Sequence, residues 1–196
     1  MNEEDKRVIR TRSHLAKALI ELSCQEGYET VTIQSITDRA EINYRTFYRH
    51  YDSKDDLLRD VLRNTMAGLR KVMPPPTPIE LNDSNFAEIA HAKGTTLYEY
   101  VAENSVVFRV LLQSGPAALV PIQELAQAET EKYMSDLTLG NIPSGLIANH
   151  MITSTFSFIK WWLDSDMAYT PEQMGSYAAQ LIMLPIRRLL VEDDLK

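Results

Sequence analysis

Apolar residues recur at every third or fourth position along most of the chain, the spacing that places them on one face of an α-helix. No segment shows a convincing alternation of apolar and polar residues, which is typical of a half-buried strand. We therefore predict an all-α fold. The predicted helices cover approximately residues 6–25, 33–40, 44–50, 54–72, 85–102, 106–113, 121–137, 144–164 and 171–191.

Polar residues and prolines indicate where these helices begin and break. Thr32 and Asn43 can accept hydrogen bonds from the first-turn amides of the second and third helices. Ser53, with Asp56 three residues later, resembles a capping box that opens the fourth. Pro185 removes an amide donor inside the last segment, so we expect a kink about one turn before it.

Four prolines between residues 73 and 78 interrupt the helical pattern and force an extended path. We place a domain boundary there. Residues 1–72 would form an N-terminal domain with its connecting helix, residues 73–83 a Pro-rich linker, and residues 84–196 a second helical domain.

The composition is that of an ordinary globular protein, with 44% apolar and 24% charged residues. The apolar runs fall far short of the roughly 18 residues that a membrane-spanning helix needs, and the acidic first residues are unlike a secretory signal. We expect a cytoplasmic protein with no membrane partner. Cys24 is the single cysteine and the histidines are scattered, so we assign no disulfide, metal site or cofactor.

The whole chain has a formal net charge of −7. Most of this negative charge lies in its second part. Residues 60–196 contain ten basic and sixteen acidic residues, whereas residues 39–54 contain four basic and two acidic ones. A basic stretch with interleaved aromatics makes residues 39–54 the candidate nucleic-acid surface. Those interleaved rings are Tyr44, Phe47, Tyr48, His50 and Tyr51.

The two short helices at 33–40 and 44–50 are joined by a tight turn and are small enough to enter a major groove about 12 Å wide. By spacing alone, an ordinary helical hairpin with a solvated basic face explains the pattern at least as well as a DNA-binding module does. In either case the residues that would pack against the first helix are Val31, Ile36, Ala40, Ile42, Phe47 and Tyr51.

The residue types in this module are more informative than their spacing. They include Thr32-Ile33-Gln34-Ser35-Ile36-Thr37-Asp38-Arg39-Ala40, Ile42-Asn43, Thr46-Phe47-Tyr48-Arg49-His50-Tyr51 and Lys54-Asp55-Asp56-Leu57-Leu58. This pattern strongly resembles the TetR/AcrR family of transcriptional regulators over about residues 10–62. The resemblance implies an N-terminal three-helix DNA-binding domain with a helix-turn-helix, joined to a divergent helical domain that dimerises and usually holds a small molecule.

The resemblance also implies which side chains contact operator DNA. Tyr44, Arg45 and Arg49 would approach base edges, where an arginine fork can bond guanine O6 and N7 together. Gln34 would reach a base or a phosphate. The positions that match phosphate-binding ones are Thr32, Thr46, Tyr48, His50 and Lys54.

Two residues depart from the family pattern. Glu41 stands at the turn position often held by glycine, so we expect a strained or reshaped turn with the acidic side chain directed away from DNA. Arg45 stands where the family often has a small residue. It alters the base-reading surface, so no operator sequence can be transferred from relatives.

The second domain resembles the family more faintly, in residues 158–163 and 169–174. These segments are similar to the last two family helices, which pair with their symmetry mates in a four-helix bundle, so we expect a homodimer through them. The same apolar residues could instead form the core of one protomer. The candidates for the dimer contact are Ile152, Ile159, Leu163, Tyr177, Leu181, Leu184 and Ile186.

A small-molecule pocket in the second domain would be lined by aromatic and other apolar residues between helices. Such residues at helical spacing more often belong to the core, and that interpretation stays open for each of them. The candidate ligand-binding residues are Tyr98, Phe108, Leu112, Tyr133, Met151 and Phe158.

The sequence contains no phosphate-cradling glycine loop, nucleophile elbow or paired metal-binding histidines, so we do not expect an enzyme. We expect a repressor that binds a palindromic operator as a dimer and is released by a small-molecule effector. The alternative is a TetR-like co-regulator that acts through a protein partner without such an effector.

Overall fold

The structure is a computed structural model that describes residues 3–72, 80, 83–114, 120, 123–124, 126–128, 130–131 and 142–191. Within these residues every element of regular secondary structure is a helix, as the apolar spacing predicts. Tyr133 lies outside the described residues, as do most of the linker at 73–83 and much of the predicted helix at 121–137. No helix in the described part of the chain is long and apolar enough to span a membrane.

The described helices follow the predicted segments closely. They are α1 (Glu3–Glu26), α2 (Ile33–Ala40), α3 (Tyr44–Phe47), α4 (Lys54–Val72), α5 (Phe86–Glu103), α6 (Ser105–Gln113), α7 (Ser144–Asp164), α8 (Pro171–Ala178), a π-helix (Ala179–Met183) and α9 (Leu184–Val191). The main difference is in α3, which ends at Phe47 instead of His50. Beyond Phe47 the backbone forms tighter turns, in which the Arg49 and His50 amides donate to the carbonyl oxygens three residues earlier.

Side-chain caps begin the helices where the sequence predicts them. The Thr32 hydroxyl accepts a hydrogen bond from the Ser35 amide at 3.1 Å, and the Thr32 amide donates to Ser35 Oγ, which completes a capping box. Asn43 Oδ1 accepts a hydrogen bond at 2.9 Å from a first-turn amide of α3. Each cap satisfies a donor that the first turn of a helix leaves without a partner, so the two caps fix where each helix of the helix-turn-helix begins.

The helix-turn-helix is held on a core of completely buried side chains. α2 packs against both α1 and α3, and Leu15, Leu19 and Leu57 from α1 and α4 are fully buried. Of the predicted packing residues, Val31, Ile36, Ala40, Phe47 and Tyr51 are buried and Ile42 is half-buried.

The turn between α2 and α3 has a left-handed backbone conformation at Glu41, with φ 55° and ψ 38°. Glycine adopts such angles without steric cost, whereas a residue with a Cβ atom does not. The turn still closes α2, because the Glu41 amide donates to Asp38 O and the Ile42 amide to Thr37 O. The expected reshaped turn is therefore present, with the Glu41 side chain exposed.

The described residues divide into two compact units. The first comprises those in 1–66 and 106–119, and the second comprises those in 67–105 and 120–196. The first unit thus includes α6, which differs from the sequence-based division at the linker. Burial raises the pKa of the Cys24 thiol on α1, and the charge of Arg109 on α6 opposes that shift.

In the second unit, α5 and α8 cross so closely that their backbones touch. A Cβ atom at Gly94 would lie 2.8 Å from the Gly175 carbonyl oxygen, and one at Gly175 would lie 2.6 Å from Thr95 Oγ1. Only glycine at both positions permits this approach. One turn further along α5, the buried rings of Tyr98 and Trp162 meet edge to face with centroids 5.2 Å apart.

The last helical segment is irregular where Pro185 requires it. Pro185 has no amide proton to donate to the carbonyl of Leu181, and the backbone forms a π-helix over Ala179–Met183, between α8 and α9. The kink that the sequence predicts near this point therefore takes the form of a π-helix, which shifts the register of the side chains beyond it.

Candidate nucleic-acid interface

The residues of α3 divide between the core and the surface. Phe47 is completely buried, whereas Tyr44 and Arg45 are exposed. Tyr48 and Arg49 continue the exposed surface in the turn that follows the helix. The fold thus brings the three predicted base-reading residues together on one surface. The buried Phe47 holds α3 in the core and so sets the orientation of that surface.

Arg45 and Arg49 have guanidinium groups that no acidic side chain among the described residues neutralises. Neither forms an ion pair within the described part of the chain, whereas Arg39 on α2 lies 3.3 Å from a Glu21 carboxylate oxygen. A guanidinium group has five N–H donors in a planar fork, which suits a guanine edge or a phosphate. Both arginines can therefore bind an external acceptor without first breaking an ion pair.

Tyr44 and Tyr48 form a pair on the same surface. Their hydroxyl oxygens are 3.1 Å apart, and their rings meet edge to face with centroids separated by 5.3 Å. The hydrogen bond with Tyr44 raises the pKa of the Tyr48 phenol. Tyr48 therefore stays protonated at neutral pH and can donate a hydrogen bond to a phosphate oxygen.

His50 lies at the end of the turn after α3, beside two guanidinium groups. Burial lowers the pKa of its imidazole, and the charges of Arg12 and Arg49 lower it further. These causes favour the neutral ring, and an anion bound nearby would oppose the shift by stabilising the imidazolium form.

The start of α2 carries two more predicted DNA contacts that already hydrogen-bond within the helix. Thr32 Oγ1 is engaged in the capping box, and Gln34 Nε2 donates to Asp38 Oδ1 at 2.7 Å. Both side chains are exposed, while Thr46 on α3 is half-buried. Exposed hydrogen bonds of this kind exchange readily with solvent. The side chains of Thr32 and Gln34 can therefore also donate a hydrogen bond to an external acceptor.

The Lys54 ammonium group points into the protein, onto the backbone between α1 and α2. Nζ donates to Tyr28 O at 2.7 Å, to Val31 O at 2.8 Å and, less closely, to Glu29 O at 3.4 Å. It also lies 4.3 Å from the centroid of the Tyr28 ring. These contacts use all three ammonium protons. A direct hydrogen bond from Lys54 to phosphate would therefore replace one of them.

We expect Lys54→Met to lower the free energy of unfolding of the first unit by about 1–3 kcal/mol, because partly buried carbonyl oxygens lose a charged donor while the apolar stem is kept. Chemical denaturation followed by circular dichroism measures this loss. Lys17→Met is the matched control, because its exposed ammonium group lies 3.8 Å from Glu21 and should contribute less than about 0.5 kcal/mol. Equal stability of Lys54→Met and the wild type would contradict the structural role.

The predicted ligand-binding residues are divided between the two units. Phe108, which is buried, and Leu112, which is half-buried, belong to the first unit. Tyr98, Met151 and Phe158 belong to the second unit, where Tyr98 is buried and the other two are half-buried. A surface cleft of about 640 Å³ in the second unit is lined by other residues, on α5 and at the start of α8.

Exposed apolar side chains form a patch on α7, the segment after it, α8 and the π-helix. Trp161 is 52% exposed and stacks on Tyr169 with ring centroids 5.5 Å apart. Tyr169 in turn meets Tyr177 edge to face at 5.9 Å, and Leu181, one turn beyond Tyr177, is 63% exposed. We name Trp161, Tyr169, Tyr177 and Leu181 the aromatic patch. Two of its members, Trp161 and Tyr169, were not among the predicted dimer-contact residues.

Three of the predicted dimer-contact residues are already covered within one protomer. Ile159, Leu163 and Ile186 are buried, as the core interpretation of these residues requires. The apolar pattern alone cannot distinguish these core residues from the exposed Tyr177 and Leu181, because a helix that packs on two sides is apolar on both. Trp161 beside the buried Trp162 is the signal that could have revealed the outward face, since adjacent positions lie about 100° apart around a helix. The other two, Ile152 and Leu184, are half-buried.

Two family descriptions match this chain in sequence. The bacterial regulatory proteins of the tetR family match residues 15–61, which contain α2, α3 and the caps described above. A transcriptional regulator C-terminal region matches residues 92–184. The two matches together cover most of the chain.

The similar proteins are transcriptional regulators. The uncharacterized HTH-type transcriptional regulator YxbF of Bacillus subtilis strain 168 is 25% identical over 182 residues, which are 91% of this chain and 46% of the relative. The chain thus spans less than half the length of that protein.

Solved structures of TetR regulators share the fold. One from Syntrophomonas wolfei has a TM-score of 0.74 at 17% identity, covering 92% of this chain and 97% of the other. Another from Streptococcus agalactiae has a TM-score of 0.63 at 20% identity, covering 91% and 97%. The sequence matches and this shared fold agree with the helix-turn-helix geometry: the chain belongs to the TetR family of transcriptional regulators, with an N-terminal DNA-binding domain.

Proposed function

We propose that this protein is a repressor that binds a palindromic operator as a homodimer and is released by a small-molecule effector. The observation that carries the proposal is the exposed surface of α3 and the turn after it, where Arg45 and Arg49 lack an acidic partner among the described residues. Phe47 anchors this segment in the core. A two-fold dimer presents two such surfaces, which suits half-sites about 34–36 Å apart.

Arg45 is the residue best placed to read a base. It is the second residue of α3, whose start is held by the Asn43 cap, and the first residues of a recognition helix are the ones that contact base edges. Tyr44 and Arg49 flank it on the exposed surface. Bidentate bonding to guanine would contribute about 1–3 kcal/mol of discrimination at one base pair.

Phosphate contacts would surround this base-reading centre and set the register of the protein on the duplex. Exposed groups at the start of α2 and in the turn after α3 supply some of them, and half-buried side chains on α3, in that turn and at the start of α4 would supply the others. In this proposal the groups that reach the backbone are Thr32, Gln34, Thr46, Tyr48, His50 and Lys54.

We expect Arg45→Ala to change base preference, because it removes a bidentate donor from the centre of the interface. Selection from a random-sequence DNA pool, and titration of the DNA upstream of the coding sequence, should show loss of about 10- to 100-fold in discrimination at one position of each half-site. Lys17→Ala is the control of equal charge change, at an exposed residue of α1 that is not among the predicted DNA contacts, and should keep the wild-type preference. Unchanged preference in Arg45→Ala, or no binding of the wild type to any DNA, would contradict the proposal.

The aromatic patch supports dimerisation through α7 and through the final helical segment, which comprises α8, the π-helix and α9. Its side chains are large, apolar and partly exposed on neighbouring helical segments, which is unusual for a surface that stays in water. Trp161 and Tyr177 can pack against the same residues of a second copy around a two-fold axis. The dimer would thereby set the distance between the two recognition helices.

Effector release requires a ligand that binds more tightly to a dimer whose recognition helices are misplaced for successive major grooves. In the second unit, the buried Tyr98 hydroxyl has no hydrogen-bond partner among the described residues, while its ring packs against Trp162. Leaving a buried hydroxyl unpaired costs about 1–3 kcal/mol. That cost supports a polar group of a ligand beside Tyr98. Met151 and Phe158, half-buried on α7, are the apolar candidates in the same unit.

A further inference from the structure

A cleft in the first unit lies beside the recognition helix, and its use is not explained by base reading. It has a volume of about 330 Å³ and is lined by side chains from α1, from the turn after α3 and from α4. Arginines from all three segments reach it. We name it the arginine cleft, after its lining residues Arg12, Arg49, Arg59 and Arg63.

Among the described residues, acidic side chains pair with the arginines of α4 but not with those of the other two segments. Arg59 pairs with Asp56, and Arg63 lies 3.8 Å from Asp60. The hydroxyl of Tyr51 further occupies Asp60 at 2.6 Å. A third carboxylate in the lining, at residue 52, pairs with no arginine in the described part of the chain. The lining thus holds four guanidinium groups and three carboxylates.

Arg12 is held in the cleft by an aromatic ring at the end of the recognition segment. Its guanidinium carbon lies 5.6 Å from the centroid of the Tyr51 ring, and that ring lies 5.8 Å from the ring of buried Phe47. A guanidinium group stacked on a ring loses less conformational freedom when it binds a ligand. Within the described residues Arg12 forms no ion pair, so it keeps its donors for an external acceptor.

Two further observations show that the surroundings of Arg12 are positively charged and therefore suit an anion. The imidazole of His50 lines the same cleft, and its pKa is lowered partly by the charges of Arg12 and Arg49, which reports the positive field there. On α1, residues 6–14 include four basic and no acidic residues. Lys6, Arg7 and Arg10 are exposed, so the positive surface continues from the cleft along the first helix.

We propose that Arg12, stacked on Tyr51 beside His50, binds a backbone phosphate of the operator next to the bases that α3 reads. The first helix then belongs to the DNA-binding surface as well as to the core. A guanidinium group bonds two phosphate oxygens with parallel N–H donors, which suits an acceptor at the mouth of an open cleft. This inference rests on the proposed function, since it requires that the protein binds DNA.

The test is the salt dependence of operator binding for the wild type, Arg12→Gln, Arg12→Lys and the control Lys17→Gln on the same helix. Between about 50 and 300 mM salt, Arg12→Gln should reduce the slope of log K against log salt by about one per half-site, so by about two for a dimer. Its affinity should fall about tenfold on all DNA sequences alike. Arg12→Lys should recover the slope, which a merely structural role of the guanidinium would not do, and Lys17→Gln should match the wild type.

Each other outcome has a definite meaning. A wild-type slope in Arg12→Gln overturns the inference, while absence of any DNA binding by the wild type overturns the proposed function itself. A thermal shift with inorganic phosphate distinguishes a free anion from the DNA backbone. If phosphate stabilises the wild type but not Arg12→Gln, and the DNA slopes of the two are equal, the cleft binds a free anion and the operator contact is wrong.

Discussion

Gly175→Ala should destabilise the second compact unit by about 2–3 kcal/mol, although alanine is the better helix former. A Cβ atom at Gly175 would collide with the backbone amide of Thr95 and would lie 2.6 Å from its Oγ1 atom. Neither group is the end of a flexible side chain, so α5 and α8 must separate and lose contacts along the whole crossing. Thermal unfolding by calorimetry, or urea denaturation followed by tryptophan fluorescence, measures the loss.

Gly145→Ala on α7 is the matched control for this experiment. Its new Cβ atom would lie 2.9 Å from Glu131 Oε1, which is the far end of a flexible side chain and can move away. The substitution should therefore be neutral or stabilising by up to about 1 kcal/mol, as expected for glycine to alanine inside a helix. Equal stability of the two variants would show that α5 and α8 can separate without cost.

If the proposed homodimer forms through the aromatic patch, Leu181→Asp should raise its dissociation constant at least about 100-fold, which corresponds to about 3 kcal/mol. Leu181 is 63% exposed in one protomer, so the substitution leaves the fold of the unit intact, but a carboxylate placed in a dry dimer contact has no partner. Sedimentation velocity over a range of concentrations measures the change. Operator affinity should fall with it, because a monomer reads one half-site.

The control for the dimer experiment is Ile9→Asp, which places the same charge on an exposed apolar residue of the first unit, 55% exposed on α1. It should leave the dissociation constant of the dimer unchanged. Trp161→Ala should weaken the dimer in the same direction as Leu181→Asp, since a large aromatic side chain is removed from the patch. A Leu181→Asp protein that sediments as the wild type would exclude the aromatic patch from the dimer contact.

Much of the fold could be predicted from the sequence because the signals that define a helix act over a few residues. The capping side chains of Thr32 and Asn43 bond to amides two or three positions away. Pro185 disturbs the helix within one turn of itself. Periodic apolar residues likewise predict which side of α2 is buried, and Phe47 and Tyr51 are buried as expected.

The candidate site was predicted only in part, because local pattern shows which residues are polar but not what they contact. Tyr44, Arg45 and Arg49 are exposed, and their assignment to base edges stays a prediction. Lys54, assigned to phosphate by the same resemblance, is engaged with backbone carbonyls. Those carbonyls belong to residues 23 to 26 positions earlier in the chain, a distance that no periodicity records.

By itself, then, the sequence determined the helices, their caps, the break before Pro185 and the membership of the family, since each depends on neighbouring residues or on a contiguous motif. Tertiary structure alone decided that α6 joins the first unit, that Gly94 and Gly175 touch, and that Arg12 stacks on Tyr51. These features arise between residues far apart in the chain. They are set by how the helices pack against one another, and that packing follows from the shapes of whole faces and not from any one local pattern.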